Sequence, residues 1–337
     1  MDDEPIPAFG NLTPSYFADM PALRYMREKG TVSRRKTIPS GCIPGTEVAV
    51  LSILGHDFQS GSVSRSWFEA LGAGIMVNEE DLCLRCNLIS HENGIITSHS
   101  GVDISARQCS EIIDVLNANF GGEGIEFHGT RDFRCLLILR DCSANVAAYP
   151  THTLVGRELG RLLVSSEDPL LSETLNEIIK NSRSVLADYP SNGISLWAPG
   201  RPVQFSGRTA GAVIAGVHIM KGIGRAVGMT VVDVDGATGD DRTDYSAKLY
   251  AAMKALEKFD FVLLHIEAPD EASHQKDSAK KVRILEEIDR RLLSPLLNQK
   301  INMDVTVQSD HVTSSLSGQH LDWPVEVIQY KLRNSEK

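Results

Sequence analysis

Residues 229 to 270 read MTVVDVDGATGDDRTDYSAKLYAAMKALEKFDFVLLHIEAPD. The first block is β-branched and ends at the Gly236-Ala237-Thr238-Gly239 turn. The middle block, Ser246 to Phe259, is rich in Ala, Leu, Met, Lys and Glu, which favour helix. The last, Phe261 to Leu264, is apolar again before charge returns. Strand, helix and strand in that order make a crossover unit joining parallel strands. The alternation extends both ways, through AVIAGVHIM upstream and KKVRILEEIDRRLLSPLL and MDVTVQSDH downstream. The expectation is an α/β fold: a mostly parallel sheet flanked by helices, with its chemistry at the carboxyl ends of the strands.

Nearer the start, MPALRYMREKG reads as a helix closed by Gly30, and IPGTEVAVLSILG as a turn feeding a helix. Between about 77 and 192 the texture changes. DLCLRCNLIS and FRCLLILRD are strand-like, EIIDVLNANF is a short amphipathic helix, and LLSETLNEIIKNSRSVLADYP is a helix stopped by Pro190. Residues 77–192 therefore read as a smaller α+β lobe inserted into a domain made of 1–76 and 193–337. The charged residues of KKVRILEEIDRR read as a solvated helix face.

The chain has 337 residues and a formal net charge of −10. Without a basic excess it is no general nucleic-acid binder. No apolar run is long enough to span a bilayer, and the N-terminus is neither signal nor transit peptide. The six sparse cysteines read as reduced thiols of a cytoplasmic protein. Cys83-Leu84-Arg85-Cys86 has no second pair nearby, so redox or zinc chemistry is set aside. KGIGRAVG precedes a strand instead of following one, which argues against a dinucleotide fingerprint.

Charge at strand ends carries the chemistry. LLHIEAPDEASH places His265, Glu267, Asp270, Glu271 and His274 after an apolar run. Asp270 and His274 are four apart, so one helical turn puts them on one face, where they can converge on a cation. A carboxylate plus imidazole suits Zn²⁺, Mn²⁺ or Fe²⁺ better than Ca²⁺. A solvated helix start would show the same letters. VQSDHVTSSLSGQH puts Asp310-His311 at a second strand end and His320 beyond a Ser-rich loop; an Asp N-cap with a surface His is the plain alternative. Two such strand ends in one sheet suggest a pair of metals clamping a phosphoryl group. Thr46, after Pro44-Gly45 at a helix start, is either a cap or a nucleophile.

In this order the motifs resemble the alkaline phosphatase superfamily, and more closely the archaeal-type cofactor-independent phosphoglycerate mutases. DEPIPAFGNLTP, IPGTEVAVLSILGHD, SRSWFEAL, RCNLI, FRCLLILR, GATGDDRTDYSAK, HIEAPDEASH and SDHVTSSLSGQHLDWPV carry the likeness. The resemblance implies an alkaline-phosphatase-like domain whose inserted lobe closes over substrate. It implies two divalent ions, Mn²⁺ before Zn²⁺ or Mg²⁺, and no 2,3-bisphosphoglycerate. Asp270, His274 and His320 would hold one ion, and Asp310 and His311 the other. Thr46 would carry the phosphoryl group between the two hydroxyls of phosphoglycerate. Arg65, Arg85, Arg134, His152 and Lys248 would bind substrate. The partner is a small phosphorylated metabolite, with no nucleic acid and no membrane; a homo-oligomer stays open.

The sequence departs from the family at several points. Thr46 stands where the family has Ser, Glu47 where it has Asp, and Val50 where it has Asn. Ser64 and Trp67 flank Arg65 in place of Gly and Pro, Thr153 replaces an Asp, and so does His218. The family's opening apolar strand, which ends in a metal-binding Asp-Gly, has no counterpart before Asp2 and Asp3, and the C-terminus stops early. These departures leave two alternatives: a related phosphotransferase with another small acceptor such as homoserine, and a degenerate, non-catalytic paralogue.

Overall fold

The computed structural model describes residues 1–58, 63–100, 104–131 and 134–334. The chain forms two compact units: Met1–Ser60 with Phe205–Lys337, and Gly61–Gln204. The second unit is wider than the expected 77 to 192. It takes in the helix Arg65–Ala73, whose start is tied to that unit's sheet. Ser64 Oγ donates to the Ala198 carbonyl at 3.0 Å and Ser66 Oγ to that of Cys83 at 2.9 Å.

In the first unit the crossover stretch folds as expected. Thr230–Val231 and Val262–Leu264 both pair in parallel with Ala212–Ile214. The helix Tyr245–Ala255 connects them, capped by the Asp244 carboxylate, which accepts from the Ser246 and Ala247 N–H groups. Among the described residues that three-stranded sheet is wholly parallel, but a second three-stranded sheet in the same unit is antiparallel, so the expected single, mostly parallel sheet is not what forms. Met303–Gln308 pairs antiparallel with Val325–Leu332, which pairs antiparallel with Thr31–Arg35. After Asp310 the chain turns back through a small hairpin, Val312–Thr313 against His320–Leu321. It then returns beside the strand it left, and an antiparallel return needs no helical crossover. Among the described residues, Val262–Leu264 and Met303–Gln308 each pair along one edge only.

The helix Pro21–Lys29 packs Leu23 and Met26 against Leu285, Ile288, Leu292 and Ile328. Each such burial stabilises the fold by roughly 1.5–3 kcal/mol. Met20 gives this helix no side-chain cap. Asp289 does so from elsewhere, accepting from the Ala22 N–H at 3.0 Å and the Leu23 N–H at 2.8 Å. The face KKVRILEEIDRR is thus not all solvated: Lys281 and Asp289 are each 1% exposed. Their charges are buried because each meets several hydrogen-bonding partners.

In the second unit Leu82–Glu92 pairs with Arg134–Leu139 on one side and Gly193–Gly200 on the other. Phe133, at the head of the expected FRCLLILRD strand, lies outside the described residues. Leu84, Cys86 and Leu88 form one face of the central strand, with Ile112 and Leu116 of the helix Ala106–Phe120 and Leu175 and Ile179 of the helix Pro169–Val185 in the same core. Side chains alternate along a strand, so Arg85 and Asn87 take the opposite face. There the register sets Trp197 beside Arg85, and both Ser195 and Arg134 beside Asn87. All six cysteines are free thiols, and burial pushes Cys83 up to about 12. Among the described residues no helix is long and apolar enough to cross a membrane.

Candidate active site

The candidate ligands sit in short elements or just past the end of one. The helix Ala268–His274 starts with Pro269 in its first turn. Its one-face spacing brings His274 Nε2 to 3.1 Å from Asp270 Oδ2. Asp310 and His311 follow the strand Met303–Gln308. Asp310 caps no helix: its Oδ1 accepts from the His311 N–H at 3.0 Å, and its Oδ2 lies 3.3 Å from His311 Nε2. The small hairpin sets His320 opposite Thr313 and brings its ring centroid to 3.8 Å from that of His311.

The expected partition put His311 with Asp310 and apart from His320. The geometry is more continuous than that. Ligand atoms of Asp270, His311 and His320 all lie within 4.8 Å of one another. His274 joins them, its Nε2 3.0 Å from His320 Nε2. His311 is common to both groups.

Thr46 is the first residue of the helix Thr46–Ile53, and the N-cap is Gly45. Its hydroxyl therefore does not cap the helix. It is 3% exposed, and its Oγ1 lies 3.4 Å from His311 Nε2.

The hydrogen bonds settle two tautomers. His274 Nδ1 lies 2.8 Å from the Gly318 carbonyl and His320 Nδ1 lies 3.1 Å from the Pro44 carbonyl. A carbonyl only accepts, so both Nδ1 atoms carry protons. In the neutral rings, both Nε2 atoms then present lone pairs to each other. Either a proton or a cation must lie there. In the protein alone a proton does: burial pulls His274 down, but Asp270 outweighs it and holds the imidazolium up to about 9. Burial, with His311 adding to it, pushes His320 down to about 4. For Asp270, burial works upward, but the His274 hydrogen bond and the neighbouring imidazoles hold the carboxyl well below its usual range. Converging lone pairs beside a carboxylate fit a divalent cation with a taste for nitrogen and oxygen.

His265 lines the same region. Its Nε2 lies 3.4 Å from Glu267 Oε2, and its buried Nδ1 has no hydrogen-bond partner among the described residues. Burial pushes it down to about 4, against the upward pull of Asp310 and Asp270. Lys248 is fully buried, with its Nζ 3.2 Å from the His265 carbonyl and 3.4 Å from that of Thr238. Burial lowers it to about 8, although Glu267 pulls the other way.

The remaining expected substrate binders belong to the second unit. Glu69 stands between two of them, with Oε2 3.0 Å from Arg85 Nε and Oε1 3.5 Å from Arg65 Nε. The Arg85 guanidinium lies 4.6 Å over the Trp197 ring. His152 meets that ring edge-on at 6.0 Å, and Trp197 Nε1 donates to Asn87 Oδ1 at 3.1 Å. Arg65, Arg85, Arg134 and His152 thus gather around one polar sheet face, while Lys248 lies in the other unit.

The model of 2,3-bisphosphoglycerate-independent phosphoglycerate mutase matches residues 28–192. The protein of that name from Methanosarcina barkeri is 33% identical, over 98% of this chain and 88% of its own. The chain belongs to this mutase family. Its fold is similar to that of the PH0037 protein of Pyrococcus horikoshii, with a TM-score of 0.77, 23% identity, and 98% and 85% of the two chains covered. It is also similar to the cofactor-independent phosphoglycerate mutase of Thermoplasma acidophilum, with a TM-score of 0.55, 22% identity, and 100% and 88% covered.

Sequence reasoning about this family member missed Glu69, Asn87, Trp197 and Thr313. Glu69 had a signal, since it stands four residues after Arg65 on a helix. The other three depend on cross-strand register and a loop contact, which leave no local trace.

Proposed function

We propose that this chain interconverts 3- and 2-phosphoglycerate without 2,3-bisphosphoglycerate, through a phosphorylated Thr46. The observation that carries the reading is the Thr46 hydroxyl, freed from capping and 3.4 Å from His311 Nε2, beside a cluster of carboxylate and imidazole ligands. The relatedness over nearly the whole chain to proteins of that name supports it. The first unit is read as alkaline-phosphatase-like, with the second as its substrate-binding insertion.

Asp270, His274, His320, Asp310 and His311 would hold two divalent ions, Mn²⁺ being the first choice for this donor set. Such ions, when bound, supply positive charge that acidifies a hydroxyl and offsets charge on a transferring phosphoryl group. Thr46 Oγ1 attacks the phosphorus at the C3 oxygen of the substrate. The Thr46 oxygen–phosphorus bond forms as the C3 oxygen–phosphorus bond breaks, and the threonine proton passes to the departing C3 oxygen. The glycerate reorients and its C2 hydroxyl attacks the phosphothreonine: the C2 oxygen–phosphorus bond forms as the Thr46 oxygen–phosphorus bond breaks, and the C2 hydroxyl proton passes to Thr46 Oγ1. The start of the helix Thr46–Ile53 adds its backbone dipole to the stabilisation of the phosphate. Arg65, Arg85 and Arg134 suit the carboxylate and phosphate of such a substrate, since guanidinium binds both through paired hydrogen bonds. His152 and Lys248 would complete the binding set.

The test is an enolase-coupled assay with 3-phosphoglycerate, with and without Mn²⁺ and with no 2,3-bisphosphoglycerate. Metal-dependent turnover that Thr46→Ala abolishes, together with phosphate on the Thr46 peptide by mass spectrometry, is the expected result. Turnover that survives Thr46→Ala, or none in the unaltered chain, overturns the reading.

A further inference from the structure

Lys281, on the helix Ser278–Ile288, is 1% exposed. A buried ammonium needs an acceptor for each of its three protons. Lys281 Nζ finds all three: Asp3 Oδ2 at 2.8 Å, the Asp2 carbonyl at 3.1 Å and the Thr313 carbonyl at 3.1 Å. Asp3 is saturated in turn. It accepts from the Ser315 N–H at 3.0 Å, the Ser315 hydroxyl at 2.5 Å and the Glu4 N–H at 2.8 Å. The Glu4 carboxylate takes the Ser314 hydroxyl. Thr313, Ser314 and Ser315, which begin the loop leading from His311 to His320, are thus each held by Lys281, Asp3 or Glu4.

Thr313 faces the site with its other end. Its hydroxyl donates to Asp270 Oδ1 at 2.6 Å and lies 3.0 Å from His311 Nδ1. A hydroxyl has a single proton. With that proton on Asp270, the oxygen can only accept from His311, so Nδ1 is the protonated nitrogen of that ring. Nε2, which lies 3.4 Å from Thr46 Oγ1 and 3.3 Å from Asp310 Oδ2, is left as the nitrogen that can take a cation.

We propose that Thr313, anchored through its carbonyl by the buried Lys281–Asp3 pair, is a positioning residue that sets the tautomer of His311 and the orientation of Asp270 for a shared divalent ion. This rests on the metal reading above. The Thr313 hydroxyl hydrogen-bonds both candidate ligands. The charge pair behind it is what keeps that hydroxyl in place when the loop would otherwise follow its own small residues.

The experiment measures Mn²⁺ binding to the full chain by titration calorimetry, and the His311 tautomer in metal-free protein by ¹⁵N imidazole shifts. Thr313→Val, nearly isosteric, is expected to weaken Mn²⁺ binding by about 10- to 100-fold, the usual loss when a ligand's own partner is removed. It should also shift the His311 signal away from the Nδ1-protonated form, while Thr313→Ser restores both. Lys281→Met should weaken binding in the same direction. Unchanged Mn²⁺ affinity and an unchanged tautomer in Thr313→Val overturn the proposal, as does a Thr313→Ser variant as impaired as the valine one. Should Lys281→Met fail to fold, the two Thr313 variants decide. Should the unaltered chain bind no Mn²⁺, the metal reading falls, and the tautomer alone confirms or refutes the role of Thr313.

Discussion

His274 and His320 meet through Nε2 atoms 3.0 Å apart, each with its Nδ1 proton committed to a backbone carbonyl. This arrangement makes the metal-free protein sensitive to pH on both sides of neutrality. His274 is held up to about 9 from 6.5 in the folded state. Its stabilising contribution is complete below 6.5 and is lost as the pH rises through 9. His265 and His320 are pushed down to about 4 from 6.5. Between those values the unfolded chain binds their protons and the folded one does not, so stability falls as the pH drops from 6.5 to 4. Urea unfolding of chelator-treated protein should therefore show greatest stability near pH 6.5, and His265→Gln should flatten the acid limb. An acid limb equally steep in His265→Gln contradicts the assignment.

Metal and proton compete for the same lone pair on His274. Mn²⁺ affinity should rise by about tenfold per pH unit between 6.5 and 9, as the imidazolium becomes easier to displace. Calorimetry in two buffers of different protonation enthalpy would count the released proton. A flat profile with no proton release means that His274 is not a ligand.

Glu69 lies between Arg65 and Arg85, and both Glu69 and Arg85 are only 7% exposed at the side chain. Removing one partner of a buried pair strands the other charge. Glu69→Ala should cost about 3–5 kcal/mol of stability, while the paired change Glu69→Met with Arg85→Met should cost much less. At 25 °C in stabilising conditions, Glu69→Gln should raise KM for phosphoglycerate more than it lowers kcat, because it loosens two guanidinia and leaves Thr46 untouched. A pure kcat effect would speak against substrate binding at this face.

Asp289 closes the helix Pro21–Lys29 from 266 residues away in sequence, at the Leu23 N–H. Asp289→Ala leaves the Ala22 and Leu23 N–H groups buried and unmet. Stability should fall by about 1–3 kcal/mol, with turnover per folded molecule unchanged. An unaltered melting temperature would mean that water replaces the carboxylate.

The local letters carried a great deal. Ser246 to Phe259 reads as a helix and folds as one over Tyr245–Ala255, because its composition and the Asp244 cap agree. Asp270 and His274 are brought together by helical spacing alone, and strand alternation was enough to put Leu84, Cys86 and Leu88 in a core. Charge was less legible. KKVRILEEIDRR looks like a wet helix face, yet Lys281 and Asp289 are buried, since their partners come from the first two dozen residues of the chain and, for Lys281, from Thr313.

What the sequence by itself determined was the set of elements and the ligand types waiting at their ends, because helix spacing, strand alternation and caps act over a few residues. What only the tertiary structure decided was which of those ends meet. Thr46 could be a cap or a nucleophile until Gly45 took the cap and His311 came within 3.4 Å of the hydroxyl. The antiparallel return beside Met303–Gln308, the place of Trp197 under Arg85 and the hold of Lys281 on Thr313 are likewise contacts between distant segments. Burial sets their strength, and burial belongs to the folded chain as a whole.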